Sequence, residues 1–172
     1  MYDIVCQTVG ILAMAFSVLT FQFKDYKKLI IFQIMAAALF GIHYFMLGSN
    51  NGAISNGISI VRNVFFIFLM GKNKPKIIVA SVFACLMVGF NLTLWEGLGT
   101  ILICLGMTAN TVSISLNNTQ HVRIAIMIAC PLMFAYNLIN FSIGGLINET
   151  LVFISSIIGL IRHKENKTLI KQ

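Results

Sequence analysis

The chain alternates long apolar runs with short polar connections. Seven runs stand out, at about 4–22, 29–47, 53–70, 77–94, 98–116, 124–142 and 146–162. A hydrocarbon core about 30 Å thick takes about 20 helical residues to cross. Backbone groups cannot be left unpaired in lipid, so the runs predict transmembrane helices. The connections are "KDYKK", "GSNNG", "GKNKPK", "WEG", "NNTQH" and "SIGG". The start, "MYDIVCQ", lacks the basic stretch of a cleaved signal peptide, so the first run is expected to stay as a helix.

The third run breaks the apolar pattern on one side. Gly52, Ser55, Asn56, Ser59, Arg62 and Asn63 are spaced as one face of a helix. Shifting the chain by 93 residues lays 7–63 on 100–156. Gly145, Asn148, Glu149, Ser155 and Ser156 then fall on the same stripe, with Val152 as one apolar break. "KDYKK" falls on "NNTQH" and "GSNNG" on "FSIGG". The pattern predicts two parallel three-helix bundles, spans 1–3 and 5–7, joined by span 4. Repeats of this kind are related by an axis along the membrane normal, and substrate sites lie where the halves meet. The expected divisions are 1–71 for the first bundle, 72–97 for the linker helix, 98–163 for the second bundle and 164–172 for a cytoplasmic tail.

Composition agrees with a polytopic all-α membrane protein. The 172 residues are 58% hydrophobic and 10% charged, and the mean hydropathy is +0.91. A soluble domain carries far more charge. The net charge of +7 bears on topology and anionic lipid, because basic patches interleaved with stacking aromatics are missing and nucleic acid is not expected. Cys6, Cys85, Cys104 and Cys130 fall in apolar runs without a CxxC, which predicts buried small side chains and neither disulfide nor zinc.

The basic residues orient the chain. Lys24, Lys27 and Lys28, then Lys72, Lys74 and Lys76, then Arg123, and finally Arg162, Lys164, Lys167 and Lys171 all fall on one side. The opposite side holds Asp3 and Glu96. By the positive-inside rule the N-terminus is outside and the C-terminus inside. Arg62 alone breaks the rule. Tyr2, Tyr44 and Trp95 are expected as aromatic anchors at the outer interface and Tyr26 at the inner one.

A 3+1+3 plan with the N-terminus outside resembles the SWEET and PQ-loop transporters. "SVLTFQFKDYKK" is similar to their Pro-Gln signature before a basic loop, with Gln22 matching the Gln and Phe21 standing in place of the Pro. Pro131 is the one proline inside a span, so the proline hinges of SWEETs are mostly missing. More closely, "FQFKDYKKLIIFQ", "GIHYFMLG" and "SIVRN" resemble the YgjV-type bacterial inner-membrane family, related to that superfamily, over nearly the whole chain. The resemblance implies the fold and a bacterial inner-membrane location. It also implies solute-facing positions on spans 3 and 7, here Asn56 or Asn63 and Glu149 or Ser156, and a homo-oligomer.

The candidate site residues follow from depth and chemistry. Arg62 lies about 15 Å from either end of its span at 1.5 Å per residue, too deep to snorkel easily. Such charges usually face a bundle interior or a watery cavity. Arg62 is therefore either a fixed clamp between the halves or a lining charge for an anionic or carbonyl-bearing solute. Glu149 sits about 9 Å further out on the matching stripe. His43, near that layer, could carry a coupled proton beside the carboxylate or serve in packing. Asn110 and Asn137 join the pathway from spans 5 and 6, and Tyr136 matches His43. Gln7, Gln33, Asn91, Asn140 and Asn148 serve as interhelical glue or pathway lining. Ala13 with Ser17, Ala37 with Gly41 and Ala80 with Ala84 have the spacing of close helix packing.

No HExxH, GxSxG, Walker loop or paired-carboxylate motif supports an enzyme, and no cofactor or metal is expected. The expectation is a transporter or facilitator for a small polar metabolite, anionic or carbonyl-bearing, working by alternating access between the bundles with the lipid bilayer and that solute as partners. The alternative is a non-transporting assembly or lipid-interacting protein of the same fold.

Overall fold

The computed structural model describes residues 2–20, 26–69, 76–115 and 119–169. Among them lie seven helices and no strand: α1 (Tyr2–Thr20), α2 (Tyr26–Met46), α3 (Asn50–Phe68), α4 (Lys76–Thr93), α5 (Leu98–Ser115), α6 (Thr119–Ile139) and α7 (Ile143–Leu169). The expected all-α architecture is present. Gln22, Phe21 and most of the basic residues that set the orientation fall outside the described residues or side chains; Lys27 and Lys28 are described and exposed.

Several helices begin earlier than the apolar runs predict, and for α3 and α7, each three residues early, the reason is shared. The first N–H groups of a helix need acceptors from outside it. At α3, Glu96 Oε1 accepts from the backbone N–H of Asn50 at 3.0 Å and of Asn51 at 3.4 Å. A carboxylate is favoured at this positive end of the helix dipole. At α7, Gln7 Oε1 accepts from Ile143 N–H at 3.2 Å and Ser142 Oγ from Gly145 N–H at 3.1 Å. Polar residues read as loop thus become first turns. The helical backbone of α7 also runs to Leu169, past the expected start of the tail.

Each helix packs on the next in sequence, and α1–α7 and α3–α5 contacts close the bundle. Among the described residues α4 packs only on α3 and α5. The other six helices therefore form a ring, with α4 covering the α3–α5 edge.

The bundle buries many polar side chains beside its apolar core and exposes large apolar ones. His43, Asn51, Ser55, Asn91, Thr100, Thr111 and Ser142 are fully buried, while Phe141 is 80% and Leu98 73% exposed. Soluble proteins show the reverse tendency; a surrounding of lipid tails accounts for it. Among the described residues α1, over Asp3–Thr20, is the one helix long and apolar enough by itself to cross a membrane. Five other helices carry shorter apolar stretches, Ile30–Met46, Ile77–Thr93, Leu98–Ser113, Ile124–Ile139 and Ile143–Ile158. The polar face of α3 keeps that helix out of this set.

The central core joins Ala13, Phe40, Tyr44, Ile103, Met107, Met133 and Tyr136 from four of the ring helices, α1, α2, α5 and α6, with Met87 of α4. Two expectations change here. Tyr44 is buried in this core rather than anchored at the interface, because its hydroxyl finds a partner inside. Cys85 is exposed on the outer face of α4, while Cys6, Cys104 and Cys130 are buried as expected.

Candidate functional site: a polar seam inside the ring

The turns before α3 and α7 have the same backbone pattern. Before α3, Leu47 N–H bonds His43 O, Gly48 bonds Phe45, Ser49 bonds Tyr44 and Ala53 bonds Ser49. Before α7, Asn140 bonds Tyr136, Phe141 bonds Leu138, Ser142 bonds Asn137 and Leu146 bonds Ser142. Every residue in the second set lies 93 positions after its counterpart in the first. The turns share a left-handed residue as well, Gly48 at φ 77° and Phe141 at φ 52°.

These turns exchange side-chain bonds across the bundle. His43 Nε2 lies 2.8 Å from Ser142 Oγ. Tyr136, the counterpart of His43, places its hydroxyl 2.5 Å from Ser49 Oγ, the counterpart of Ser142. Tyr44 donates to Asn137 Oδ1 at 2.5 Å between the two arms, and the Tyr44 and Tyr136 rings meet at 5.7 Å. His43 Nδ1 lies 2.8 Å from Cys6 O, which can only accept, so Nδ1 carries the proton. In the neutral ring Nε2 then accepts from the Ser142 hydroxyl. Gln7 adds a bond from its Nε2 to Phe141 O at 2.9 Å, tying α1 to the α6–α7 turn.

Deeper in the bundle, the stripe of α3 is buried as the spacing predicts, at Gly52, Ser55, Asn56, Ser59, Arg62 and Asn63. Part of it turns toward α4 and α5. Asn51 Nδ2 donates to Thr100 Oγ1 at 2.8 Å, and Asn91 Nδ2 donates to Ser55 Oγ at 2.8 Å. Arg62 Nη1 donates to Thr111 Oγ1 at 2.6 Å. Its Nε and Nη2 donate to Asn63 Oδ1 at 3.2 and 3.1 Å. Arg62 is thus 2% exposed and ties α3 to α5.

The stripe of α7 differs. Asn148, Val152 and Ser156 are buried, Glu149 is half-buried and Ser155, the counterpart of Arg62, is exposed. No helix covers α7 as α4 covers α3, so among the described residues that face lacks a wall. Asn148 Nδ2 donates to Glu149 Oε1 at 3.1 Å.

Of the sequence candidates, the bundle brings Arg62 to Asn63 and Asn137 to Tyr44. Asn56 Nδ2 bonds Gly52 O in its own helix at 2.9 Å, and Asn110 is half-buried on α5. Both ring nitrogens of His43 are engaged, by Cys6 O and Ser142 Oγ. Thr111, Thr100, Ser49 and Ser142 were missed by sequence reasoning. Their hydroxyls are common in apolar helices, although the Ser49–Ser142 match at the 93-residue shift was a usable signal.

No curated protein and no solved structure matches this chain. A family model described as bacterial inner membrane protein, Imp-YgjV, matches residues 4–167. A multi-pass helical chain with a polar interior and a lipid-suited surface accords with that description, and the match spans nearly its whole length: the chain belongs to the Imp-YgjV family of bacterial inner membrane proteins.

Proposed function

We propose that the protein carries a small polar, anionic metabolite across the inner membrane by alternating access between two three-helix bundles. The bundles are α1–α3 and α5–α7, related as a parallel repeat, with α4 as the linker, the N-terminus outside and all seven helices spanning. The reciprocal bonds from His43 to Ser142 and from Tyr136 to Ser49 carry this reading. They join equivalent positions of the two halves at the outer end. Each neutral hydrogen bond contributes only about 1 kcal/mol net, so the set can close that end and still be broken. Beneath it Arg62, Asn56 and Asn63 offer a cation and amides to a carbonyl or carboxylate group.

A fixed scaffold is the second reading. It is favoured by the contact of Gly144 with the Gly10 backbone, where α1 and α7 leave no room even for a methyl group. A thermal-shift screen of polar metabolites on the purified protein separates the two. The transport reading expects at least one anionic solute to stabilise the wild type and to lose its effect in Asn63→Ala and Arg62→Met. If no solute stabilises the wild type, or the variants respond equally, the seam is not a solute site.

A further inference from the structure

The two serine arms match in position and differ in chemistry. Tyr136 meets Ser49 in one, and His43 meets Ser142 in the other. Phenols ionise near about pH 10, imidazoles near about pH 6.5. In the phenol arm either hydroxyl can donate to the other, so its direction is free. In the imidazole arm the direction is forced. Nδ1 donates to Cys6 O at 2.8 Å, so Nε2 accepts, and the Ser142 hydroxyl donates to it at 2.8 Å. The Ser142 oxygen itself accepts from Gly145 N–H at 3.1 Å, in the first turn of α7. A proton added to this ring goes to Nε2, the nitrogen without a hydrogen. It replaces the acceptor with a donor that faces a donor.

The ring has little room to turn away. His43 is fully buried. A Cβ on Gly10 would lie 2.7 Å from its Cε1, so the α1 backbone lies against the imidazole. The same Gly10 backbone meets Gly144 of α7. A buried charge is costly unless it is paired. The ionisable groups of the packed elements are Cys6 and Asp3 on α1, Tyr44 on α2, Arg62 on α3, Cys130 and Tyr136 on α6 and Glu149 on α7. Cys6 touches the ring directly, with Sγ 3.5 Å from Nδ1, and the Tyr44 ring lies 5.6 Å away. Tyr44 bonds Asn137, Tyr136 bonds Ser49, Arg62 bonds Thr111 and Asn63, and Glu149 bonds Asn148.

We infer that His43 is a proton-binding site that unlatches this end of the seam: a proton on Nε2 breaks the bond from Ser142 and frees the α6–α7 turn from α2, while the Tyr136–Ser49 arm does not respond. The latch stands on its own geometry. In a transporter the proton would be the coupling ion, and that consequence alone rests on the proposed function.

The test uses the full chain in detergent, at constant ionic strength, at pH 7.5 and 5.5. A proton taken up once the end is open multiplies the open population by about tenfold between these values, for a histidine that titrates near about 6.5 when exposed. That factor lowers the melting temperature by about 3–6 °C for a chain of this size. His43→Gln keeps an amide donor and an acceptor without titrating, and is expected to lose this fall. Tyr136→Phe and Glu149→Gln are expected to keep it. Should His43→Gln fail to fold, the wild type gives a second readout. Cys6 is 2% exposed beside the ring, and Cys85 is exposed on α4. Both are alkylated with N-ethylmaleimide and read by mass spectrometry, Cys85 correcting for the effect of pH on thiol chemistry. The ratio of Cys6 to Cys85 labelling is expected to rise about tenfold at pH 5.5. An unchanged wild-type melting temperature with an unchanged ratio overturns the latch, as does a fall kept in His43→Gln. A fall lost in Glu149→Gln and kept in His43→Gln also overturns it, by assigning the response to the carboxylate. A pH response lost in His43→Gln, without any solute found in the metabolite screen, leaves the latch standing and removes the transport reading.

Discussion

Tyr44 donates its hydroxyl to Asn137 Oδ1 at 2.5 Å, and the two residues stand 93 positions apart. That separation is also the shift that lays one half of the chain on the other. Under the proposed repeat they are one position seen twice, so their bond falls on the axis between the bundles. A donor in one copy and an acceptor in the other make the bond possible, where two phenols would crowd. Tyr44→Phe strands the Asn137 carbonyl and is expected to destabilise the protein by about 1–3 kcal/mol. Thermal melting of the purified variant measures it, and an unchanged melting temperature would detach this bond from the stability of this end of the seam.

The two serine arms are expected to behave as coupled pairs. Ser49→Ala and Tyr136→Phe each remove one side of the same bond. The double variant should therefore lose less than the sum of the singles, with a coupling of about 0.5–3 kcal/mol. His43→Gln with Ser142→Ala tests the other arm in the same way. Additive losses within both pairs would mean that the serines serve their own helices and do not join the halves.

Helix contacts predict opposite results at two glycines. A Cβ on Gly144 would run into the Gly10 backbone, whereas one on Gly57 meets nothing within 4 Å. Backbone cannot swing aside as a side chain can. Gly144→Ala is expected to cost about 1–3 kcal/mol or more. Gly57→Ala is expected to be neutral or to stabilise by up to about 1 kcal/mol through helix propensity. Melting temperatures compared side by side give the answer.

Phe141 holds a left-handed backbone, φ 52°, where its counterpart Gly48 holds φ 77°. An L-residue in that region carries a penalty of about 1–2 kcal/mol. The ring is 80% exposed, so removing it sacrifices little internal packing. Phe141→Gly is expected to raise the melting temperature by a few degrees. A fall would show that the ring is held by lipid more strongly than the turn is strained.

The stripe on α3 was readable because 3.6-residue periodicity brings Gly52, Asn56 and Asn63 to one side in any straight helix. Its division was not. Whether Arg62 turns toward the ring centre or toward α5 depends on α4 lying against α3, and helix order in space leaves no mark on periodicity. Ser155 shows the same limit: it matches Arg62 in the pattern and is exposed because nothing covers α7. Tyr44 was misplaced because an aromatic near a span end satisfies two environments, and only Asn137 across the bundle decides between them. The early starts of α3 and α7 depended on Glu96 and Gln7, distant residues that supply acceptors no local window contains.

The central claim is that the outer end of the seam opens in the membrane. A Ser49→Cys reporter tests it most directly, in a background with Cys6, Cys85, Cys104 and Cys130 replaced, using a membrane-impermeant maleimide applied to the outer face. Residue 49 is 2% exposed, with its hydroxyl against that of Tyr136, so labelling requires the end to open. The account predicts slow but measurable labelling. It also predicts acceleration of about tenfold when Tyr44→Phe is added, the factor that corresponds to one hydrogen bond of about 1.4 kcal/mol. If the reporter stays unlabelled with and without Tyr44→Phe in a protein that remains folded, the seam is a fixed joint and the account is wrong.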